Sequence, residues 1–203
     1  LARAAGTSPA AYADRIARAC FLDAVDPVTE WRRVHRTVGR IKNRLDRLGA
    51  ARFHVESAGT DLEIAVGTQR TWAGVSGRNI PSFEVFVSPD WRGTRGVFQA
   101  DQPSYRSGNI VRGVRLEFTD GRVVRAKAAE GEAFLKRQIA MDRGACQVGE
   151  FSLTDRRLSP IDRFMANTLF DENFGGTQGN AHIALGSSYA NTYAGDRRRL
   201  SPA

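Results

Sequence analysis

The spacing of the apolar residues changes at residue 51, and this change indicates the fold class. Before residue 51, two segments place apolar side chains three or four residues apart, which is the period of an amphipathic helix. After residue 51, apolar and polar residues alternate, which is the period of a strand with one buried face. Helices followed by a run of strands are typical of an α+β domain. We therefore predict a mostly antiparallel sheet from residue 51 to residue 186, with two preceding helices and two inserted ones.

Each of the first two predicted helices begins at a capping residue that proline follows. Ser8-Pro9 and Asp26-Pro27 supply a side-chain oxygen for the free N–H groups and a proline where its missing donor is harmless. The second helix ends at Gly49, a typical C-terminal residue, and carries an apolar stripe. The stripe consists of Trp31, Val34, Val38, Ile41, Leu45 and Leu48. It could join two chains as a coiled coil, but it is too short for sustained heptads, so packing on the following sheet is the favoured interpretation.

Two turn sequences mark hairpins in the second part of the chain. The residues on both sides of Gly59-Thr60 alternate between apolar and polar, as do those that flank Asp120-Gly121. The Asp-Gly pair is the strongest short hairpin signal in the chain. A helix is predicted from Glu130 to Met141, and Ser159-Pro160 predicts a last helix that reaches Leu169.

The composition is that of a soluble globular protein with enough apolar material for a core. Apolar residues make up 41% and charged residues 26% of the 203 residues. No run approaches the ~20 apolar residues of a spanning helix, and the N-terminus lacks the pattern of a signal peptide. Cys20 and Cys146 have no nearby cysteine partner, so we expect neither a disulfide framework nor a zinc knuckle. These features predict a cytoplasmic protein with no membrane partner.

The formal net charge of +8 raises the question of nucleic-acid binding. The arginines are spread along the whole chain. The dense runs are Arg32-Arg33 with Arg36, Arg156-Arg157 and Arg197-Arg198-Arg199. Because charge alone indicates only non-specific association, a solvated, arginine-rich surface is the favoured explanation. The alternative, a basic nucleic-acid-binding domain, would show an affinity that falls steeply with salt.

A concentration of potential metal ligands lies between Phe170 and Tyr189. Asp171 and Glu172 precede a glycine-rich link, and His182 opens a short apolar run. Carboxylate and imidazole groups suit Zn, Mn, Co or Mg, and the glycines allow the chain to fold back and bring Glu172 near His182. Taken alone, such a pattern is more often an ordinary surface loop that leads into a strand.

Two further glutamates lie in apolar surroundings. Glu84 stands between Phe83 and the pair Val85-Phe86, where a buried unpaired carboxylate would be costly. Either Glu84 points to solvent or a cation holds it, and the local pattern slightly favours solvent. Glu150 precedes Phe151 in another extended segment. Together with the ligands near residue 180 they have the composition of a metal site, although no spacing such as His-Glu-x-x-His is present to prove it.

Four segments in order resemble the thermophilic metallo-aminopeptidase family of the aminopeptidase T, AmpS and PepS type. They are GTDL at 59–62, NIPSFEVF at 79–86, GEF at 149–151, and the stretch 170–189 with FDEN at its start and HIALG before its final tyrosine. The resemblance covers most of the chain, from about Ser8 onward. It implies a cytosolic exopeptidase, a hydrolase that removes N-terminal residues from peptides with two divalent ions (Zn, Co, Mn or Mg). It also implies a homodimer for the intact protein.

The resemblance assigns roles to particular residues. The positions that match metal ligands are Glu84, Glu150, Glu172 and His182. Glu150 matches the bridge between the two ions and is therefore also a catalytic residue. Tyr189 matches a catalytic tyrosine that contacts the metal or polarises the intermediate. We interpret Asp61 as a structural residue that caps the turn after Thr60.

The resemblance also implies two parts that we do not find in this sequence, a larger N-terminal α/β domain and a His-x-Asp pair further along. We therefore interpret residues 1–50 as a helical remnant of the N-terminal domain. Residues 51–196 form the metal-site catalytic domain, incomplete at its C-terminal end, and residues 197–203 a polar tail. On this interpretation the intact protein is an aminopeptidase, whereas this chain alone binds metal weakly, lacks the second ion and is nearly inactive.

One alternative comes from another functional class. A non-catalytic interaction module could have kept the fold and lost the chemistry. Such a module would tolerate Glu84→Gln and Glu150→Gln without loss of metal content or stability.

Overall fold

A computed structural model describes residues 1–75, 77–196 and 198. The α-helices in these ranges are α1 (Pro9–Ala19), α2 (Pro27–Leu48), α3 (Glu132–Ile139) and α4 (Thr168–Asp171). The strands are β1 (Arg52–Ser57), β2 (Thr60–Ala65), β3 (Ala73–Gly74), β4 (Glu84–Val87), β5 (Arg95–Gln99), β6 (Ser104–Arg106), β7 (Asn109–Val111), β8 (Arg115–Thr119), β9 (Arg122–Lys127), β10 (Val148–Thr154) and β11 (Asn180–Leu185). Short 3-10 turns cover Trp91–Gly93 and Ala190–Thr192. The polar tail predicted at residues 197–203 lies, apart from Arg198, outside the described residues.

The two N-terminal helices begin and end as their capping residues predict. Ser8 Oγ and the Asp26 carboxylate each accept a hydrogen bond from a backbone N–H three residues later. Gly49 ends α2 with a φ of 56°, in the left-handed region. The stripe of α2 contacts β3 and β4 and buries Val34 and Val38, so its interpretation as a sheet-packing face is confirmed. In the described ranges no helix combines the length and the apolar character that crossing a membrane requires.

The strands form antiparallel sheets, as predicted, but more than the one sheet expected. The first has the order β1-β2-β5-β8-β9, the second β11-β10-β4-β3, and the third consists of β6 and β7. Strand β10 is buried along nearly its whole length, on both faces, so it belongs to a second layer and does not extend the first sheet. Phe53 of β1 contacts Phe151 of β10, with ring centroids 5.5 Å apart, and joins the two layers. Sequence analysis did not predict β3, β5, β6 and β7.

Both predicted hairpins are confirmed. Asp120 and Gly121 connect β8 to β9 with φ angles of 48° and 76°, which is the turn geometry that an Asp-Gly pair favours. The β1–β2 hairpin forms around Gly59. Asp61 lies in β2, where its carboxylate is 2.8 Å from His54 Nε2 across the hairpin instead of capping the turn. The predicted helix at 130–141 is present as α3.

The helix predicted after Ser159 is wrong except for its last turn, α4. Side chains replace the backbone hydrogen bonds that a helix would make. Ser159 Oγ accepts a hydrogen bond from Ile161 N at 3.3 Å. The Asp171 carboxylate accepts from Met165 N at 2.6 Å and from Asn167 N at 2.9 Å. This segment is therefore an irregular loop that delivers the chain to residue 172.

Candidate metal centre

Strand β10 lies at the middle of the candidate site. It pairs antiparallel with β4 on one side and with β11 on the other. In this register Thr154 is opposite Glu84, and Ser152 is opposite His182. Because directly opposed residues share a face and every second residue returns to it, Glu150 lies on that face as well. The register therefore collects residues from three distant parts of the chain on one sheet face.

The other face of the same strands belongs to the hydrophobic core. Phe151, Leu153 and Val85 lie on it, and Phe151 and Val85 are buried. Glu84 consequently points away from this core, yet its residue is only 8% exposed. The solvent-facing orientation that the local pattern slightly favoured for Glu84 is therefore wrong, because the carboxylate is buried beside Ser152 and His182.

Three potential ligands converge on this face. Glu84, Glu150 and His182 offer donor atoms that all lie within 4.8 Å of one another. His182 Nε2 is 3.2 Å from Glu150 Oε1 and 3.6 Å from Glu84 Oε2. The Ser152 hydroxyl donates a hydrogen bond to Glu84 Oε2 at 2.5 Å. His182 Nδ1 is buried and has no hydrogen-bond partner among the described residues.

The cluster is electrostatically costly without a cation. Burial raises the pKa of Glu84 above its ordinary value, and the Glu150 charge adds to the increase, although His182 and Ser152 oppose it. Burial opposes the charged form of His182, but the hydrogen bond to Glu150 and the surrounding carboxylates raise its pKa overall. A divalent cation would oppose these shifts, because its charge favours the ionised form of the carboxylates and the neutral form of the imidazole.

Glu172 approaches the cluster but is not one of the three converging residues. It directly follows α4 and is half-buried. Burial raises its pKa to about 7, and the charges of Glu84 and Glu150 contribute to this shift. The interaction indicates that Glu172 faces the cluster at a greater distance than the converging donors.

Tyr189 lies at the exposed rim of the site. Its residue is 49% exposed, and its ring centroid is 5.0 Å from that of Phe86. Its backbone N–H donates to Ser88 Oγ and its carbonyl accepts from Thr192 Oγ1, both at 2.7 Å. Burial raises the pKa of the phenol, and the Glu150 charge adds to the increase. Tyr189 is thus held through its backbone while its phenol stays protonated at neutral pH.

The donor set fits a divalent cation. Two carboxylates and one imidazole are ligand types that zinc, cobalt and manganese accept. The carboxylates are buried, and the histidine has one buried nitrogen without a partner among the described residues. The ordinary interpretation of the stretch 170–189, a surface loop that leads into a strand, does not describe His182, because its side chain is only 18% exposed and lies 3.2 Å from Glu150.

Sequence analysis missed two supporting residues. Ser152 could have been found, since it stands two residues after Glu150 in a strand and so shares its face. Asn173 could not, because its contact spans 90 residues: its Oδ1 accepts a hydrogen bond from Phe83 N at 2.6 Å. Asn173 follows Glu172 and Phe83 precedes Glu84, so this hydrogen bond ties together two predicted ligand segments.

Comparisons with known proteins agree with this chemistry. The family described as "Thermophilic metalloprotease (M29)" matches residues 2–202. Aminopeptidase AmpS of Bacillus subtilis (strain 168) is 32% identical over 196 residues, which are 91% of this chain and 47% of that protein. Aminopeptidase T of Thermus aquaticus is 31% identical over 191 residues, which are 89% of this chain and 46% of that protein. The solved structure of wild-type AmpT from Thermus thermophilus has a TM-score of 0.75 and 30% sequence identity, and the match covers 83% of this chain and 44% of that one. The chain spans about half the length of the curated relatives it matches.

Proposed function

Because the chain belongs to the thermophilic metalloprotease (M29) family, we propose that it carries the metal centre of an aminopeptidase that releases N-terminal amino acids from peptides. The family resemblance seen in the sequence is confirmed, and the family description implies a divalent metal cofactor. The observation that carries the proposal is the convergence of Glu84, Glu150 and His182 on one largely buried sheet face. The names of the relatives support peptides as the substrates.

The proposed ligands are the three converging residues and Glu172, whose charge interacts with theirs. Two divalent ions in the intact protein, with Glu150 between them, are what the sequence resemblance implies. Zn, Co, Mn and Mg all accept glutamate and histidine ligands. When bound, such ions lower the pKa of a water molecule and polarise the scissile carbonyl.

The side chains of the site have separate parts in the proposed reaction. Glu150 Oε1 lies 3.2 Å from His182 Nε2, so Glu150 can orient the imidazole through a hydrogen bond. Glu172 would complete the ligand set from the end of α4, because it directly follows that helix and its charge interacts with those of the converging residues. The protonated phenol of Tyr189 can donate a hydrogen bond to a substrate carbonyl at the rim.

The remaining parts of the proposal rest on the resemblance to aminopeptidases. Residues 51–196 form the domain that carries the site, and residues 1–50 are helical and pack on it. The intact protein is a homodimer located in the cytoplasm. The homodimer and the compartment are inferred from the family resemblance of the sequence, and the domain bounds from the change in its apolar spacing.

Metal binding by the purified full-length protein tests the ligand assignment. The protein is stripped with EDTA and titrated with Zn²⁺, Co²⁺ or Mn²⁺ in a calorimeter. We expect Glu84→Gln and Glu150→Gln each to weaken binding by at least about tenfold, since each removes a ligand. The matched control is Glu56→Gln, an exposed carboxylate on β1. Failure of the unaltered chain to bind metal, or equal binding by all variants, would refute the assignment and favour a non-catalytic module.

Peptide hydrolysis by the full-length protein tests the activity. One tripeptide is supplied with a free N-terminus and also in N-acetylated form. We expect release of the first residue only from the free form, with loss of activity in EDTA and recovery on addition of a divalent ion. Hydrolysis of the acetylated peptide, or turnover that EDTA does not change, would contradict the proposal.

A further inference from the structure

We infer that Ser152 is a positioning residue that holds the Glu84 carboxylate in place for metal binding, an inference that rests on the proposed function. Ser152 lies in β10 on the same sheet face as Glu150 and has no exposed surface. Its hydroxyl donates to Glu84 Oε2 at 2.5 Å. A hydrogen bond from a hydroxyl to an ionised carboxylate at this distance is among the stronger kinds in proteins.

Ser152 holds the Glu84 carboxylate by a hydrogen bond, and His182 makes the corresponding contact with the Glu150 carboxylate. His182 Nε2 is within hydrogen-bonding distance of Glu150 Oε1, at 3.2 Å, but is 3.6 Å from Glu84 Oε2. Among the residues that the structure describes, the Ser152 hydroxyl is the only hydrogen-bond donor to the Glu84 carboxylate. A glutamate side chain rotates about three bonds, so without this contact the Glu84 carboxylate would adopt several orientations.

Thr154 shows that the contact is not a general property of this face. It stands two residues after Ser152, is directly opposite Glu84 in the register, and is buried. Its hydroxyl nevertheless has no hydrogen-bond partner among the described residues. Ser152, opposite Phe86, reaches Glu84 diagonally across the two strands. The bond is therefore specific to position 152 and is not a consequence of a polar side chain near Glu84.

Zinc affinity of matched variants tests the inference. Ser152→Ala removes the donor, and Thr154→Val removes a buried hydroxyl from the same face without breaking a hydrogen bond to a carboxylate. Titration with Zn²⁺ alone should show a loss of about 10–100-fold for Ser152→Ala and none for Thr154→Val. Ser152→Thr, which restores a hydroxyl, should recover most of the affinity, whereas a purely steric role would favour alanine over threonine. Wild-type affinity in Ser152→Ala, or an equal loss in Thr154→Val, would overturn the inference.

Crystal structures of the metal-free proteins separate this inference from the proposed function. In Ser152→Ala we expect the Glu84 carboxylate to leave its position, while His182 stays beside Glu150. An unchanged Glu84 carboxylate would overturn the positioning role even in a protein that binds zinc. Failure of the unaltered chain to bind zinc would refute the proposed function instead, and the metal-free structures would still decide whether Ser152 places Glu84.

Discussion

Replacing Asn173 with alanine should destabilise the protein and loosen the candidate site together. The Asn173 side chain is fully buried; its Oδ1 accepts a hydrogen bond from Phe83 N at 2.6 Å, and its Nδ2 donates to the Leu169 carbonyl at 3.0 Å. Alanine leaves both backbone groups without this partner. Because Asn173 adjoins Glu172 and Phe83 adjoins Glu84, we expect metal affinity to fall as well.

The size of the effect follows from the burial of the two backbone groups. A buried polar group left unsatisfied costs about 1–3 kcal/mol. Phe83 is 1% exposed, so water cannot replace the hydrogen bond that its N–H loses. Leu169 is half-buried, so water can replace part of the hydrogen bonding that its carbonyl loses. We expect the free energy of unfolding to fall by about 2–4 kcal/mol. For a chain of this size that corresponds to a fall in Tm of roughly 4–16 °C.

Urea unfolding followed by tryptophan fluorescence measures this loss. Trp31 stacks on Phe83 with ring centroids 5.2 Å apart, so it reports on the affected region. The control is Asn43→Ala, an exposed position in α2, which should be neutral or slightly stabilising because alanine is the better helix former. A loss below ~1 kcal/mol in Asn173→Ala, at an unchanged dependence on urea, would refute the reasoning.

Three further predictions concern other parts of the chain. Gly149→Ala should reduce both stability and zinc affinity in the same assays, because the added Cβ would lie 2.3 Å from Ser187 O; an unchanged protein would show that the two backbones can separate freely. Gly39→Ala, where a Cβ meets nothing within 4 Å in the middle of α2, should raise stability by about 0.8–1 kcal/mol in urea, and a decrease would contradict this. The hydrogen bond to Asp61 raises the pKa of His54, so Asp61→Asn should lower it in an NMR titration. Because the pKa of His54 is higher in the folded state, the His54–Asp61 pair stabilises the folded protein fully below the unfolded pKa of about 6.5. This stabilisation is lost as pH rises through the folded-state pKa. Identical titrations of His54 in both proteins would count against the contact.

Local sequence signals predicted most of the helices and both hairpins. They failed where a side chain binds the backbone groups that a helix would use, and where strands pair across distant segments. Ser8, Asp26 and Gly49 act on backbone groups within a few residues, so their caps can be predicted from sequence alone. Ser159-Pro160 carries the same start signal, but the Asp171 carboxylate binds the backbone N–H groups of the following segment in a loop conformation. The division into several sheets depends on strand pairing between distant segments, which no local pattern reports.

The candidate site was accessible from sequence mainly through the family resemblance. The residue pattern alone favoured solvent for Glu84 and a surface loop for the stretch 170–189. The structure brings Glu84, Glu150 and His182 together because β10 pairs with both β4 and β11. The alternation of apolar and polar residues does not predict which strands pair or in which register. Strand alternation could have placed Ser152 on the face of Glu150, but its contact with Glu84 depends on the pairing of β10 with β4.

Strand β10 contributes one face to the core and the other to the site, and this affects how the site moves. Phe151 and Leu153 point from this strand into the core, while Glu150 and Ser152 point into the site, and both edges of the strand are paired. Backbone amides of such a strand exchange their hydrogens with solvent only when the whole sheet opens. The strand that carries Glu150 and Ser152 therefore opens only with the whole sheet. The Tyr189 side chain is 49% exposed, but its backbone is held by hydrogen bonds to Ser88 and Thr192. Rotation of the Tyr189 side chain can therefore change the shape of the rim while the backbone beneath it stays in place.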